Sequence, residues 1–372
     1  MKHHILLLFF ISVLSSYGQE KLTNEIIETS INSKTLNEER EILIFNPTNS
    51  KNNFPTIYLI DGKQNFFLVA GIISNLRRSG FITKVNLVGI NTYDYERPYN
   101  LLTKNNNGRD FSFNSGGSSD FQKFITDEVF PLVNSTVSTS DYKILIGHSF
   151  GGLFGLNMLM ENPNSFSSAV LIDASIWWNN ANLLSNLKKN KSTLKKIPLY
   201  LSRSAKDEDK INSFESLEPL IKSNQIVLEK FPNENHISTL TPSIVNGLKY
   251  IFKDFEMLDS VYEEADLTAI KERIEQVSNY YDTPILPNVY GLAPIARNLA
   301  NEGEFSKSIE MLKYLEKYHP ENNMVLDFLG EAYQKSGDLR LAKITWNKSL
   351  KIAKSKKSST KWVEKKLSEI EK

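Results

Sequence analysis

The chain has no cysteine in 372 residues, which excludes disulfides, thiolate nucleophiles and lipid attachment through cysteine. It has almost no net charge, with 44 Lys and Arg set against 43 Asp and Glu. A global field that would draw in nucleic acid or an anionic membrane is therefore missing. Histidine is scarce at five residues, and no His–carboxylate cluster has metal-ligand spacing. Neither a metal nor an organic cofactor is expected. No apolar run is long enough to span a bilayer. What remains is ordinary for a globular protein: 40% apolar and 23% charged residues, in a chain long enough for about two domains.

The first eighteen residues stand apart. Met1-Lys2-His3-His4 precedes an apolar run from Ile5 to Leu14, broken by Ser12. Small residues, Ser16 and Gly18, occupy the −3 and −1 positions for a cut before Gln19. This is the pattern of a secretory signal peptide and predicts export to the periplasm or medium. From 19 to 253, short apolar runs alternate with amphipathic stretches. "TIYLID", "KVNLVGIN" and "YKILIG" are near-continuous, as parallel strands buried on both faces should be. "EIIETSINS" and "REILIFNP" open the series, and "SSAVLIDAS", "IPLYLSRS" and "QIVLEKF" continue it. The expectation is a doubly wound α/β domain with a mostly parallel sheet of about eight strands.

After residue 253 the β signal stops. A linking helix is expected over 254–287 and an all-α repeat domain over 288–372. "LANEGEFSKSIEMLKYLEKYHP" and "YQKSGDLRLAKITWNKSLKIAK" align with Gly303 and Gly337 34 positions apart. Leu292/Leu326, Leu299/Tyr333, Ser308/Ala342 and Leu312/Trp346 match in the same register. That period resembles tetratricopeptide repeats and suggests a surface for a protein partner.

"KILIGHSFGGLFGL", Lys143 to Leu156, carries the chemistry. A buried-type strand runs into Gly147-His148-Ser149-Phe150-Gly151 and then into a helix-forming run. G-x-S-x-G in that context is the nucleophile elbow: a sharp turn that presents Ser149, with glycines at 147, 151 and 152 relieving the crowding. The Phe150 N–H, at the helix start, becomes an oxyanion donor. A serine hydroxyl needs a base. His3 and His4 leave with the leader, His148 lies inside the elbow and His319 in the repeats. His236, after the last strand and before a helix, remains. The acid is expected at the end of "IPLYLSRS". Asp207, three residues past Ser204, has the usual spacing; Glu208, Asp209 and Asp173 are the alternatives. A second oxyanion N–H is expected in the loop after the third strand, from Gly62 or Lys63 in "YLIDGKQNF".

Taken together, "PTIYLIDGKQNFF", "VNLVGINTYDYERPYNLLT", "GGSSDFQKFITDEVFPLVN", "YKILIGHSFGGLFGLNMLMENPNSF", "ASIWWNN" and "NHISTLTPSIVNGLKYIF" resemble serine esterases of the esterase D and enterochelin-esterase type. These α/β hydrolases are related to feruloyl and acetyl esterases. The resemblance, over about residues 25 to 253, implies Ser149 as nucleophile, His236 as base and an acid near Asp207. It also implies that Arg97, Trp177 and Trp178 line or support the cleft. The substrate it implies is a small-molecule or polysaccharide-linked ester, such as a siderophore trilactone or an acylated or feruloylated polysaccharide. An acyltransferase, or an idle hydrolase fold acting as a scaffold, are the alternatives. Two departures stand out. Asp173-Ala174-Ser175 replaces the family's frequent Ser-Pro-Ser, and Arg97-Pro98-Tyr99-Asn100 replaces Arg-x-x-Asp.

Overall fold

The computed structural model describes residues 26–46, 52–93, 95–106, 111–189, 194–204, 208–256 and 265–370. The expected leader and Asp207 lie outside the described residues. The chain divides into two compact units. One comprises Met1–Lys253 with Tyr281–Thr283, and the other Asp254–Tyr280 with Pro284–Lys372.

The first unit is built on one eight-stranded sheet in the order β1-β2-β4-β3-β5-β6-β7-β8. The strands are Ile26–Ser33, Glu38–Phe45, Phe54–Ile60, Asn86–Ile90, Thr139–His148, Ser168–Ile172, Leu199–Ser204 and Ile226–Phe231, numbered in that sequence. β1 and β2 pair antiparallel, β2 meets β4 antiparallel, and every later pairing is parallel. The long apolar runs explain the centre. All residues of β3, β4, β6 and β7 are buried, because helices cover both faces of a parallel sheet. β1, at one edge, alternates and stays partly wet.

Helix Phe150–Glu161 follows β5, and its side chains are buried almost throughout, from Leu153 to Leu159. Such a helix is held by packing rather than by an amphipathic stripe. "FQKFITDEVFPLVN" is continuous but contains a π turn, Ile125–Val129, just before Pro131. Proline has no N–H to give to the carbonyl four residues back, so the ladder widens there.

The second unit is helical among its described residues. Its helices are Leu267–Tyr280, Val289–Asn301, Phe305–Tyr318, Asn323–Lys335, Leu339–Ser355 and Lys361–Ile370. Gly303 and Gly337 both take left-handed backbone between helices, at φ 88° and 90°. Ser308 and Ala342 are fully buried, and Trp346 packs on Gly330, where a Cβ would fall 2.3 Å from Trp346 Nε1.

Ile57, fully buried at the centre of β3, is the position at which loss of sheet packing is most readily measured. Ile57→Ala should cost about 2–5 kcal/mol, read as a lower urea midpoint for the first unit with an unchanged slope.

Candidate active site

Parallel strands deliver their C-terminal ends to one edge, and the site lies where β3, β5 and β6 end side by side. Ser149 has φ 61° and ψ −117°, backbone that an L residue adopts only when its surroundings force it. The Ser149 N–H donates to Ile172 O at 2.9 Å, and its carbonyl accepts from Ser175 N at 3.1 Å and Leu153 N at 3.1 Å. The turn is tight enough that a Cβ on Gly147 would sit 2.3 Å from the Gly151 carbonyl oxygen. Only glycine fits.

His236 lies between β8 and helix Leu240–Ile251. Its Nδ1 is 2.6 Å from Oδ2 of Asp173. Asp173, 2% exposed, follows β6 in left-handed backbone, φ 44°. It also accepts from Ser204 Oγ at 2.8 Å and Ser204 N at 3.3 Å. Burial alone would raise its carboxyl, but the His236 and Ser204 hydrogen bonds hold it below the ordinary aspartate value. The carboxylate beside His236 is thus Asp173, from the end of β6. Asp173 is one of the alternatives named from the sequence; Asp207, preferred there, lies outside the described residues. The helix that begins at Glu208 carries the other two alternatives, Glu208 and Asp209. The ends of β6 and β7 are neighbours, with Ser204 donating to Asp173, and spacing along the chain does not say which end supplies the carboxylate.

Ser149 Oγ lies 3.4 Å from Ser175 Oγ, and among the described hydrogen bonds none joins it to His236. The rings of His148 and His236 are 4.5 Å apart, which places His236 beside the elbow.

The loop expected after β3 is instead an immediate helix, Gly62–Arg78. Asp61 makes the turn in left-handed backbone at φ 60°. A Cβ on Gly62 would fall 2.5 Å from the Gly89 backbone, so the helix start presses on β4. Gly62, Lys63 and Phe150 occupy the first positions of their helices, where N–H groups have no intrahelical acceptor. The two helix starts are neighbours: a Cβ on Gly151 would lie 3.1 Å from Ile60 Cγ2 and 3.6 Å from Asp61 Oδ2.

Arg97 is not a free substrate-side cation. Its Nε and Nη2 donate to the Asp61 carboxylate at 2.8 and 2.7 Å, and Nη2 also reaches His148 O at 3.1 Å. Thr92 Oγ1 donates to the same carboxylate. The pair neutralises a buried charge next to the two helix starts, a role no sequence spacing announces. Trp178 is core, 3% exposed, with Nε1 donating to Thr103 O at 3.2 Å. Trp177 is half-buried against Phe150, ring centroids 6.1 Å apart. Phe111 and Phe113 stack nearby, Phe113 at 5.9 Å from Phe150. Asn100, where the family frequently has Asp, lies in the short helix Arg97–Leu101 and is 2% exposed.

The sheet order, the serine elbow and the helix starts together define an α/β hydrolase by fold. The chain matches the family described as "Putative esterase" over residues 33–236, and it belongs to that family. It is 30% identical over 144 residues to the siderophore triacetylfusarinine C esterase of Aspergillus fumigatus, covering 36% of this chain and 48% of that one. It is 26% identical over 234 residues to the ferri-bacillibactin esterase BesA of Bacillus subtilis, covering 53% and 78%. The chain therefore spans about half the length of the first of these relatives. An IroE-like serine hydrolase from Shewanella oneidensis superposes with a TM-score of 0.63 at 21% identity, over 79% of this chain and 99% of that one. No helix among the described residues is long and apolar enough to cross a membrane.

The site should make the fold acid-sensitive. Burial, and then the neighbouring His236, push His148 down to about 4 from 6.5, and Asp173 is also lowered. Between those values for His148 the unfolded chain binds more protons than the folded one, so stability rises with pH. This contribution is full above about pH 6.5 and is lost as the pH falls through about 4, a span worth roughly 3 kcal/mol. Thermal melts from pH 4 to 8 should show it, and His148→Phe should flatten the rise.

Proposed function

We propose that the chain is a serine carboxylic-ester hydrolase with Ser149 as nucleophile, His236 as general base and Asp173 as the acid. The observation that carries this reading is the 2.6 Å contact of His236 Nδ1 with a buried carboxylate, beside a serine in forced backbone. Nδ1–H donates to Asp173, which leaves the Nε2 lone pair free as base. Ser149 turns about χ1 from Ser175 toward that nitrogen and attacks the ester carbonyl as His236 takes its proton. The N–H of Phe150 and that of Gly62 or Lys63 hold the oxyanion. Collapse expels the alcohol, which takes the proton from His236. Water, deprotonated by His236, then attacks the acyl-enzyme; collapse breaks the bond to Ser149 Oγ, which takes the proton back from His236 as the acid leaves.

The substrate we favour is a siderophore-type ester. Support comes from the activities for which the relatives are named and from the aromatic wall of Phe111, Phe113, Phe150 and Trp177 beside the elbow, suited to an aromatic acyl group. Acylated polysaccharide is the second reading within the same chemistry. Export is proposed from the leader pattern. The 34-residue repetition supports a tetratricopeptide-like unit with a protein partner.

The test is an ester panel of p-nitrophenyl acetate, methyl ferulate, acetylated xylan and a catecholate trilactone. Ser149→Ala should lower kcat by about 10³–10⁶, and Asp173→Asn by about 10⁴ where the tautomer is lost. Asp207→Asn should stay near the parent rate. Equal turnover in the parent and Ser149→Ala would sink the mechanism.

A further inference from the structure

His148 has no part in the mechanism, yet it ends β5 directly before Ser149. Its Nε2 lies 2.7 Å from the backbone oxygen of His236. A carbonyl only accepts, so the proton resides on Nε2 and Nδ1 is bare. The loop that carries His236 needs such a tether. Ile237 is 71% exposed, so no apolar anchor sits next to the base. The neighbouring hydrogen bonds fold the loop on itself: Asn235 Oδ1 accepts from Ile237 N and Ser238 N, and Ser238 Oγ from Asn235 N. His236 is thus tied to the sheet twice, by its ring to Asp173 and by its backbone to His148. Arg97 in turn braces the His148 carbonyl.

We propose that His148 is a positioning residue for the general base, whose Nε2–H holds the His236 backbone and so sets the His236 ring against Ser149. This rests on the reading of Ser149, His236 and Asp173 as a triad. A base on an exposed loop must be held to a fraction of an ångström, and a displacement of about 1 Å is worth on the order of 10²-fold in rate. The tether also has to stay uncharged. His148 faces His236, Asp173 and Arg97, and its burial beside His236 keeps it neutral down to about pH 4. A cation there would oppose the imidazolium that His236 becomes when it takes the serine proton. Neutral His148 donates throughout the working range, and the His236 ring has no charged ring beside it.

The experiment compares His148→Gln, whose amide nitrogen reaches the place of the ring Nε2, with His148→Phe, which keeps the ring and loses the donor. With p-nitrophenyl acetate, His148→Phe should lower kcat on the order of 10²-fold with little change in KM, and His148→Gln should recover most of it. Parental kcat in His148→Phe, or equal loss in both variants, would overturn the proposal. A second measurement uses the Ser149→Ala protein and needs no turnover. Imidazole ¹⁵N spectra from pH 5 to 8 should show His148 protonated on Nε2 throughout. A proton on Nδ1, or a His148 midpoint near 6.5, would overturn the tether even where the variants fold poorly. If the parent hydrolyses nothing while His148 shows the expected tautomer, the fault lies with the esterase reading and not with the tether.

Discussion

The hydrogen bond between His236 and Asp173 is the contact on which the rest of the site depends. An imidazole on an exposed loop has two tautomers and free rotation, and neither gives a useful base. A buried carboxylate on Nδ1 fixes both. Asp173 can do this because its other contacts come from fixed backbone and from Ser204, at the ends of two adjacent parallel strands. The sheet therefore does more than carry the site. Its strand order brings β5, β6 and β7 together, so a serine corner, a carboxylate and the carboxylate's own donor arise from three consecutive strands.

Charge is managed in the same way on the other side of Ser149. Asp61 is 3% exposed and lies beside the two helix starts, where the proposed mechanism would develop negative charge. Left alone it would oppose that charge, since electrostatic effects are strong where water is excluded. Arg97 closes on it with two nitrogens and reaches the His148 carbonyl as well, so one guanidinium both cancels the charge and joins the corner after β3 to the corner after β5. His148 continues the chain of contacts to the His236 backbone.

Much of the architecture was legible from residue order. Near-continuous apolar runs meant parallel strands buried on both faces, and β3 and β4 are such strands. The strand–turn–helix around Ser149 was legible because a buried run ending in glycine at 147, then a serine and two more glycines, suits a crowded corner and little else. The acid was not. The ends of β6 and β7 are more than thirty residues apart in sequence but adjacent in the sheet, and that the carboxylate on His236 comes from the end of β6 is a fact of sheet order that spacing does not encode. The replacement of Ser-Pro-Ser by Asp173-Ala174-Ser175 was the available signal, because a new carboxylate had appeared beside the nucleophile. Arg97 shows the converse limit: its partner Asp61 lies 36 residues away, and sequence alone showed a cation near a cleft with no means of telling that its charge was already matched. The helix start at Gly62 was missed because Asp-Gly reads as a turn, and only packing on Gly89 shows why a helix begins there at once.

Everything at the site turns on whether Asp173 holds the Nδ1 proton of His236. A proton NMR spectrum of the parent protein near neutral pH reads it directly. The expected result is a far-downfield Nδ1–H resonance that vanishes in Asp173→Asn and persists in Asp207→Asn. Persistence in Asp173→Asn together with loss in Asp207→Asn would contradict it and return the acid to the end of β7.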